Sequence, residues 1–212
     1  VQFGTGNFLR AFADWMLEIV NEKTDWNGSV VMLKSTGHGS LSALKGQDCV
    51  YTVALRGLEN GAPVERFCTV TCVSDALACP AEYDKVLALA KLPELRFVLS
   101  NTTEAGIAWD ERDEAADRPP RSFPAKLTQL LYARAQAFDY AGNKGLIMLP
   151  MELIDDNGIE LKRCVKALAR IWNLGERFDA WLDEACVFTS TLVDRIVTGY
   201  PRDEAERQAI WQ

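Results

Sequence analysis

Apolar residues recur along the chain at two spacings, which predict alternating strands and helices. Three extended-type residues lead into the turn Gly4-Thr5-Gly6, and apolar side chains then follow at helical spacing: Phe8, Phe12, Trp15 and Ile19. A short apolar run at 29–33 has the character of a buried strand. Strand, helix and strand within about 35 residues fit one right-handed crossover unit.

The rest of the chain continues this alternation, with one interruption. Val, Thr and aromatic residues flank Asn60-Gly61, which predicts an antiparallel hairpin of strands at 49–57 and 64–73, inserted at the edge of a mixed sheet. Further strands are predicted at 95–99, 145–149 and 186–188, and helices at 80–92, 123–138, 159–172 and 176–185. The pattern therefore predicts an α/β fold with a doubly wound, mainly parallel sheet.

Composition and charge exclude several classes of partner. Of 212 residues, 48% are hydrophobic and 25% are charged, as in an ordinary soluble protein, and no apolar run is long enough to span a membrane. The net charge of -7 argues against a nucleic-acid surface. Six cysteines without a Cys-x-x-Cys pair, and the single histidine His38, disfavour a metal site. We expect a reduced, cytoplasmic setting with no nucleic acid, membrane or metal.

The glycine turn is the first candidate for chemistry. Glycine lets the backbone approach a ligand, and free N–H groups at a helix start favour an anion such as a pyrophosphate. The usual dinucleotide motif would place a third glycine at Leu9, so the turn alone fits a nucleotide site or a simple tight turn. No acid follows the second strand. Lys34-Ser35 there fits a ribose contact, a 2′-phosphate or an ordinary polar loop, which leaves NAD and NADP open.

Ligands of open α/β sheets bind outside the carboxyl ends of the parallel strands. Four polar segments are predicted at such ends: 4–7, 100–104, Glu152 with its neighbours, and 189–191 with Asp194. Glu104, Glu152 and Asp194 are then candidates for one cleft, where a carboxylate accepts a substrate hydroxyl or orients a base. Structural roles compete, since Glu104 and Asp194 also suit helix caps and Asp194 also suits an ion pair with Arg195.

Taken together, these segments resemble the mannitol dehydrogenase family, the long-chain polyol dehydrogenases. The resemblance is carried by 3–12, by 51–52 with 56–57, by 100–106 and by 192–196. The Gly-x-Gly-x-Phe-x-Arg-Ala start is the family's own variant of the dinucleotide motif, which accounts for Leu9. Within the family, the stretches 100–107, 149–158 and 191–201 are most similar to the branch that interconverts D-tagaturonate and D-altronate.

The resemblance implies a Rossmann-type NAD-binding domain over 1–200, with 201–212 beginning the connection to a helical C-terminal catalytic domain. It implies an NAD-linked reductase of a keto-uronate. Fructuronate reduction or mannitol oxidation is the nearest alternative, and a non-catalytic nucleotide-sensing module or a purely structural domain is a different class. The implied cofactor contacts are Gly4, Gly6, Asn7 and Phe8 at the pyrophosphate, Ser35 near the adenosine ribose, and Asn101, Thr102 and Thr103 near the nicotinamide.

Two parts of the family's catalytic machinery lack a match in this chain. An Asn that helps to hold the reacting oxygen corresponds to Leu153 here, and the family's Lys-x-x-x-x-Asn-x-x-His motif is not found in the 212 residues. His38 does not take its place. By resemblance, Glu152 and Asp194 border a sugar-acid substrate. We therefore expect the chain to bind cofactor without supplying the main base, with Glu104, Glu152 and Asp194 in supporting catalytic roles.

Overall fold

The computed structural model describes residues 1–35, 40–102, 106–201, 203–204 and 207–208. The β-strands are β1 Gln2–Phe3, β2 Val30–Lys34, β3 Tyr51–Glu59, β4 Ala62–Val70, β5 Val73–Ala78, β6 Phe97–Ser100, β7 Ile147–Pro150 and β8 Val187–Phe188. The α-helices are α1 Asn7–Leu9, α2 Trp15–Lys23, α3 Ser42–Gly46, α4 Cys79–Leu89, α5 Phe123–Ala137, α6 Asn157–Ile171 and α7 Glu176–Glu184. A π-helical turn, Arg10–Asp14, joins α1 to α2, and a 3-10 turn, Gly142–Lys144, precedes β7.

Six strands form one sheet in the order β5-β2-β1-β6-β7-β8. The short strand β1 pairs in parallel with β2 on one side and with β6 on the other, and β6, β7 and β8 continue in parallel. Numbered by their appearance within this sheet, the strands run 3-2-1-4-5-6, which is the doubly wound order of dinucleotide-binding folds. The predicted α/β class is confirmed, and the strand order reverses between β1 and β6.

The described residues divide into two compact units. We call the first the sheet unit: Val1–Gly4, Met32–Gly39 and Leu77–Val193. The second, the hairpin unit, comprises Thr5–Val31, Ser40–Ala76 and Asp194–Gln212. Within the described residues, no helix combines the length and the apolar character needed to cross a bilayer.

Helix α5 shows how the core of the sheet unit forms from local signals. Ser122 is its N-cap, with the hydroxyl accepting a hydrogen bond from the Ala125 N–H at 3.3 Å, and Pro124 lies in the first turn as predicted. The rings of Phe3 and Phe123 lie 5.0 Å apart. Burying a large apolar side chain contributes roughly 1.5–3 kcal/mol. The fully buried apolar residues of this core include Phe3, Leu127, Leu130, Leu131, Met148, Leu161 and Phe178.

Strands β3 and β4 form the hairpin that Asn60-Gly61 predicts. Both turn residues have positive φ, 52° and 81°, as a tight hairpin turn requires. The register runs from Tyr51 opposite Val70 to Glu59 opposite Ala62. The prediction that this hairpin lies at the edge of a mixed sheet is wrong, because β3 and β4 form a separate two-stranded sheet.

The strand predicted at 64–73 is divided for a physical reason. The buried carboxylate of Glu18 accepts hydrogen bonds from the N–H and hydroxyl of Thr71, both at 2.7 Å, and from the Cys72 N–H at 2.8 Å. Because a side chain takes these two backbone donors, they are lost to the hairpin ladder. The chain leaves the hairpin at Val70 and resumes as β5, which the sequence pattern did not predict.

Candidate cofactor and substrate site

The turn between β1 and α1 has room for a ligand. Gly4 has a φ of 128°, which favours glycine, and its N–H donates to the Leu33 carbonyl at 3.0 Å. Gly6 has an extended conformation, φ -72° and ψ 162°, which any residue adopts, and a Cβ added there would meet no protein atom within 4 Å. Since neither backbone nor packing requires a glycine at position 6, its missing side chain leaves space that a ligand can enter.

The helical segment after the turn belongs to the hairpin unit. Asn7 is exposed and Phe8 is half-buried at its start. Gly199 lies beside Asn7, since a Cβ at Gly199 would come within 2.8 Å of the Asn7 amide nitrogen. The guanidinium of Arg195 lies 4.5 Å from the centre of the Trp15 ring. Residues 195 and 199 therefore contact α2 and α1, and the exposed Asp194 directly precedes them in the chain.

Glu152, directly after β7, ties together the ends of two neighbouring strands in the sheet unit. It is 2% exposed, and its Oε2 accepts a hydrogen bond from the Ser100 hydroxyl at 3.0 Å. Its Oε1 accepts from the N–H and the hydroxyl of Thr102, both at 3.0 Å. The side-chain amide of Asn101 donates to the Met151 carbonyl. Three residues predicted from the sequence, Asn101, Thr102 and Glu152, are thus brought together.

A buried amide, Asn157, links the end of β7 to the segment after β8. Its Nδ2 donates to the carbonyls of Pro150 at 3.2 Å, Glu152 at 3.0 Å and Thr191 at 3.1 Å. Its Oδ1 accepts from the Thr191 N–H at 3.0 Å. The sequence analysis placed Ser100 in the polar segment 100–104 without giving it a role, and it missed Asn157. The available signal for Asn157 was an Asn-Gly pair after β7, a pattern that fits an ordinary turn equally well.

Buried ionisable groups lie elsewhere in the sheet unit, and burial favours their neutral forms. Lys126 is 3% exposed, and its ammonium donates to the carbonyls of Arg121 and Ser122. Burial lowers the pKa of Lys126. Burial also raises the pKa of the Cys79 thiol, against the opposing effect of the Lys126 charge. A reactive thiolate is therefore disfavoured at Cys79.

The other predicted site residues are distributed over both units. Glu104 and Thr103 lie outside the described residues, as does His38. Leu153, where the family carries an Asn, is 65% exposed. Gly4 and the half-buried Ser35 belong to the sheet unit, whereas Gly6, Asn7, Phe8 and Asp194 belong to the hairpin unit.

Known proteins similar in sequence match nearly the whole chain. The family described as the Mannitol dehydrogenase Rossmann domain matches residues 1–210. The altronate oxidoreductase of Phocaeicola vulgatus is 48% identical over 204 residues, which cover 96% of this chain and 43% of that protein. The altronate oxidoreductase of Yersinia enterocolitica is 49% identical over 205 residues, 96% of this chain and 42% of that protein. The chain therefore spans less than half the length of the curated relatives it matches.

Two solved structures share the fold. Mannitol 2-dehydrogenase of Pseudomonas fluorescens, in a ternary complex with NAD and D-mannitol, has a TM-score of 0.80 at 20% identity, covering 99% of this chain and 44% of that chain. A D-sorbitol dehydrogenase in substrate-free form has a TM-score of 0.76 at 22% identity, covering 99% and 45%. The strand order and the glycine turn agree with the match over residues 1–210. The chain belongs to the mannitol dehydrogenase family, whose Rossmann domain it contains.

Proposed function

We propose that this chain is the NAD-binding part of an oxidoreductase that reduces D-tagaturonate to D-altronate by hydride transfer. The observation that carries the proposal is the identity of 48–49% to altronate oxidoreductases across 96% of the chain. The open space beside Gly6 supports a cofactor at the turn. The substrate is accordingly a sugar acid, and the cofactor is NAD.

The residues at the turn and at the strand ends suit NAD. The turn lets the backbone come close to the pyrophosphate, and the helix start offers free N–H groups and the positive end of its dipole. When bound, NAD supplies the hydride chemistry, while the protein binds and orients it. The proposed contacts are Gly4, Gly6, Asn7 and Phe8 to the pyrophosphate, Ser35 to the adenosine ribose, and Asn101, Thr102 and Thr103 to the nicotinamide end.

On the substrate side, Glu104 and Asp194 take supporting catalytic roles, and Glu152 supports the site through Ser100 and Thr102, which it holds in place. The main base is supplied by another part of the protein. The relatives are more than twice as long as this chain, which supports a further domain. In this proposal residues 1–200 form the cofactor domain, and 201–212 begin the connection to a helical catalytic domain. The six cysteines are free thiols, which supports the cytoplasm as the setting.

The cofactor site is tested by Gly6→Val, with Gly57→Val as a matched control. A Cβ at either glycine meets no protein atom within 4 Å, so both variants are expected to fold. Calorimetry should show micromolar or weaker NADH binding by the chain and by Gly57→Val, and no detectable binding by Gly6→Val. Unchanged binding by Gly6→Val would remove the pyrophosphate from this turn.

The substrate is tested by an activity screen of the full-length protein. D-tagaturonate, D-fructuronate and D-fructose are each offered with NADH and with NADPH, and D-tagaturonate with NADH is expected to turn over fastest. A preference for either of the other substrates would move the protein to a sister activity. NADH binding without any turnover would favour a nucleotide-sensing module, and no binding at all would favour a structural domain.

A further inference from the structure

The hydrogen bonds that the Glu152 carboxylate accepts come from other residues of the protein. Its three hydrogen bonds, each 3.0 Å long, come from Ser100 and Thr102. The two oxygens of a carboxylate accept about four hydrogen bonds, so most of this capacity is already used. Because the residue is only 2% exposed, little of the carboxylate is left for a ligand.

The three bonds hold the start of the loop after β6. Between the two bonded residues lies Asn101, whose N–H donates to the Phe3 carbonyl of β1 at 3.3 Å and whose side chain donates to the Met151 carbonyl. The turn Ser100–Thr102 is therefore hydrogen-bonded to β1 on one side and to the two residues directly after β7 on the other. It lies at the point where the strand order reverses, which is where ligands bind in this class of sheet.

We propose that Glu152 is a positioning residue, which fixes the turn Ser100–Thr102 for the nicotinamide end of NAD and does not touch the reacting groups. The inference rests on the proposed function for the identity of the cofactor. It deepens that function by stating how a carboxylate next to the substrate side supports the reaction without taking a proton.

A neutral side chain of the same shape can form hydrogen bonds equivalent to those of Glu152. A glutamine amide can direct its oxygen to both donors of Thr102 and its NH2 to Ser100, whose hydroxyl rotates to accept. A carboxyl group that exchanged a proton with the substrate oxygen, giving it during reduction and taking it back during oxidation, would not be replaceable by an amide. Glu152→Gln therefore separates positioning from direct chemistry.

The experiment compares Glu152→Gln and Glu152→Ala in the full-length protein. It measures the Kd of NADH by calorimetry, kcat and KM for the keto acid, and the midpoint of thermal unfolding. Glu152→Gln is expected to keep the Kd and kcat within about threefold of wild type, whereas Glu152→Ala weakens NADH binding about tenfold or more and lowers kcat, because a shift of about 1 Å in the turn misplaces the nicotinamide.

Two further variants keep the result specific. Arg134 lies at the opposite end of the strands, where its guanidinium donates to the carbonyls of Leu95 and Lys144, just before β6 and β7. The substitution Arg134→Lys is expected to lower the unfolding midpoint without changing the Kd of NADH. If Glu152→Ala does not fold, the double variant Ser100→Ala, Thr102→Val removes the two hydroxyl donors from the other side. That double variant is expected to weaken NADH binding about threefold or more.

Each outcome decides the inference. Lost turnover in Glu152→Gln with intact NADH binding would assign a direct chemical role to the charge and overturn the positioning role. Equal weakening of NADH binding by Arg134→Lys and Glu152→Ala would mean that Glu152 only stabilises the fold, which would overturn the positioning role. If wild type binds NADH and Glu152→Ala binds it equally well, the inference alone fails. If wild type binds no NADH, the proposed function fails with it.

Discussion

The two ends of the parallel strands each bury a charged side chain, and they satisfy that charge differently. At the carboxyl ends, Glu152 accepts hydrogen bonds from two hydroxyls and one backbone N–H. At the amino ends, Arg134 is 1% exposed, and its guanidinium lies 4.7 Å from the centre of the Phe138 ring. Its donors reach the main-chain carbonyls of Ala90 at 3.0 Å, Leu92 and Leu95 at 2.8 Å, and Lys144 at 2.7 Å.

Burial and hydrogen bonding alone do not indicate whether a charged residue serves ligand binding or only stability. Both charges are buried and well bonded, yet only the carboxyl ends of the strands are where ligands bind in this fold. The acceptors of Arg134 are all backbone carbonyls, which fix the chain, while two partners of Glu152 are hydroxyls, which can exchange partners. We therefore expect substitutions at the amino end to change stability alone, and substitutions at the carboxyl end to change stability and ligand binding together.

The largest expected effect comes from Arg134→Met. The variant removes the guanidinium donors from four backbone carbonyls, of which only that of Leu92 keeps a backbone donor among the described bonds, so the free energy of unfolding should fall by about 3–5 kcal/mol. Burial already lowers the pKa of Arg134, so the charge is held by these bonds at a desolvation cost. Urea denaturation measures the loss, and calorimetry on the protein that remains folded should give the wild-type Kd for NADH.

Weaker NADH binding by folded Arg134→Met than by wild type would contradict the expectation that the amino end affects stability alone. Arg134→Lys provides the intermediate point, because it keeps the positive charge but loses the planar fork that reaches several carbonyls at once. Its loss of stability should lie between those of wild type and Arg134→Met.

The elements that the sequence predicts well have strong local signals. Helix α5 was predicted at 123–138 and is found at Phe123–Ala137, because a capping serine, a proline and a regular apolar stripe agree. The hairpin follows from Asn60-Gly61 for the same reason. The break between β4 and β5 has no such signal, since the bonds that cause it come from Glu18, more than 50 residues earlier in the chain.

The candidate site shows the same division. The rule that ligands lie after parallel strands selects Asn101 and Glu152 from position alone. The sequence around Glu152 does not reveal its hydrogen-bond partners, because Ser100 and Thr102 lie 52 and 50 residues away in sequence. The carboxylate was therefore predicted to border a substrate, while its bonds in the structure go to the neighbouring strand end.

Two glycines allow the same substitution to be tested at the amino end and at the carboxyl end of the strands. A Cβ at Gly145, before β7, would lie 1.8 Å from the Ala185 carbonyl oxygen, and a Cβ at Gly158, early in α6, would lie 2.2 Å from that of Thr189. Gly145→Ala and Gly158→Ala should each cost about 3 kcal/mol, because the main chain must shift.

The two variants should differ in ligand binding. Gly158→Ala displaces the segment that begins at Thr189, so under the proposed function it should also raise KM for the keto acid in the full-length protein. Gly145→Ala should leave KM unchanged. Denaturation and steady-state kinetics on both variants test this expectation, and an equal rise in KM for the two would contradict it.

The smallest effect near neutral pH is expected at Cys186, which lies at the amino end of β8 and is 6% exposed. Burial raises the pKa of its thiol from 9.0 to about 11. Because the folded pKa is the higher one, the unfolded state loses its proton first. The stabilisation is therefore complete below pH 9 and is lost as the pH rises towards 11. The loss is under about 0.5 kcal/mol at pH 9 and reaches about 2–3 kcal/mol at pH 11.

Comparison of wild type with Cys186→Ala isolates this contribution, because all other titrating groups are common to both proteins. Urea denaturation at pH 8, 9.5 and 11 should show the smaller loss of stability in Cys186→Ala, even though the variant starts from a lower stability at pH 8. Parallel curves for the two proteins would mean that the thiol titrates alike in the folded and unfolded states. Water would then reach the amino ends of the strands more easily than the buried Arg134 implies. The contrast with the carboxyl ends would depend on Arg134 alone.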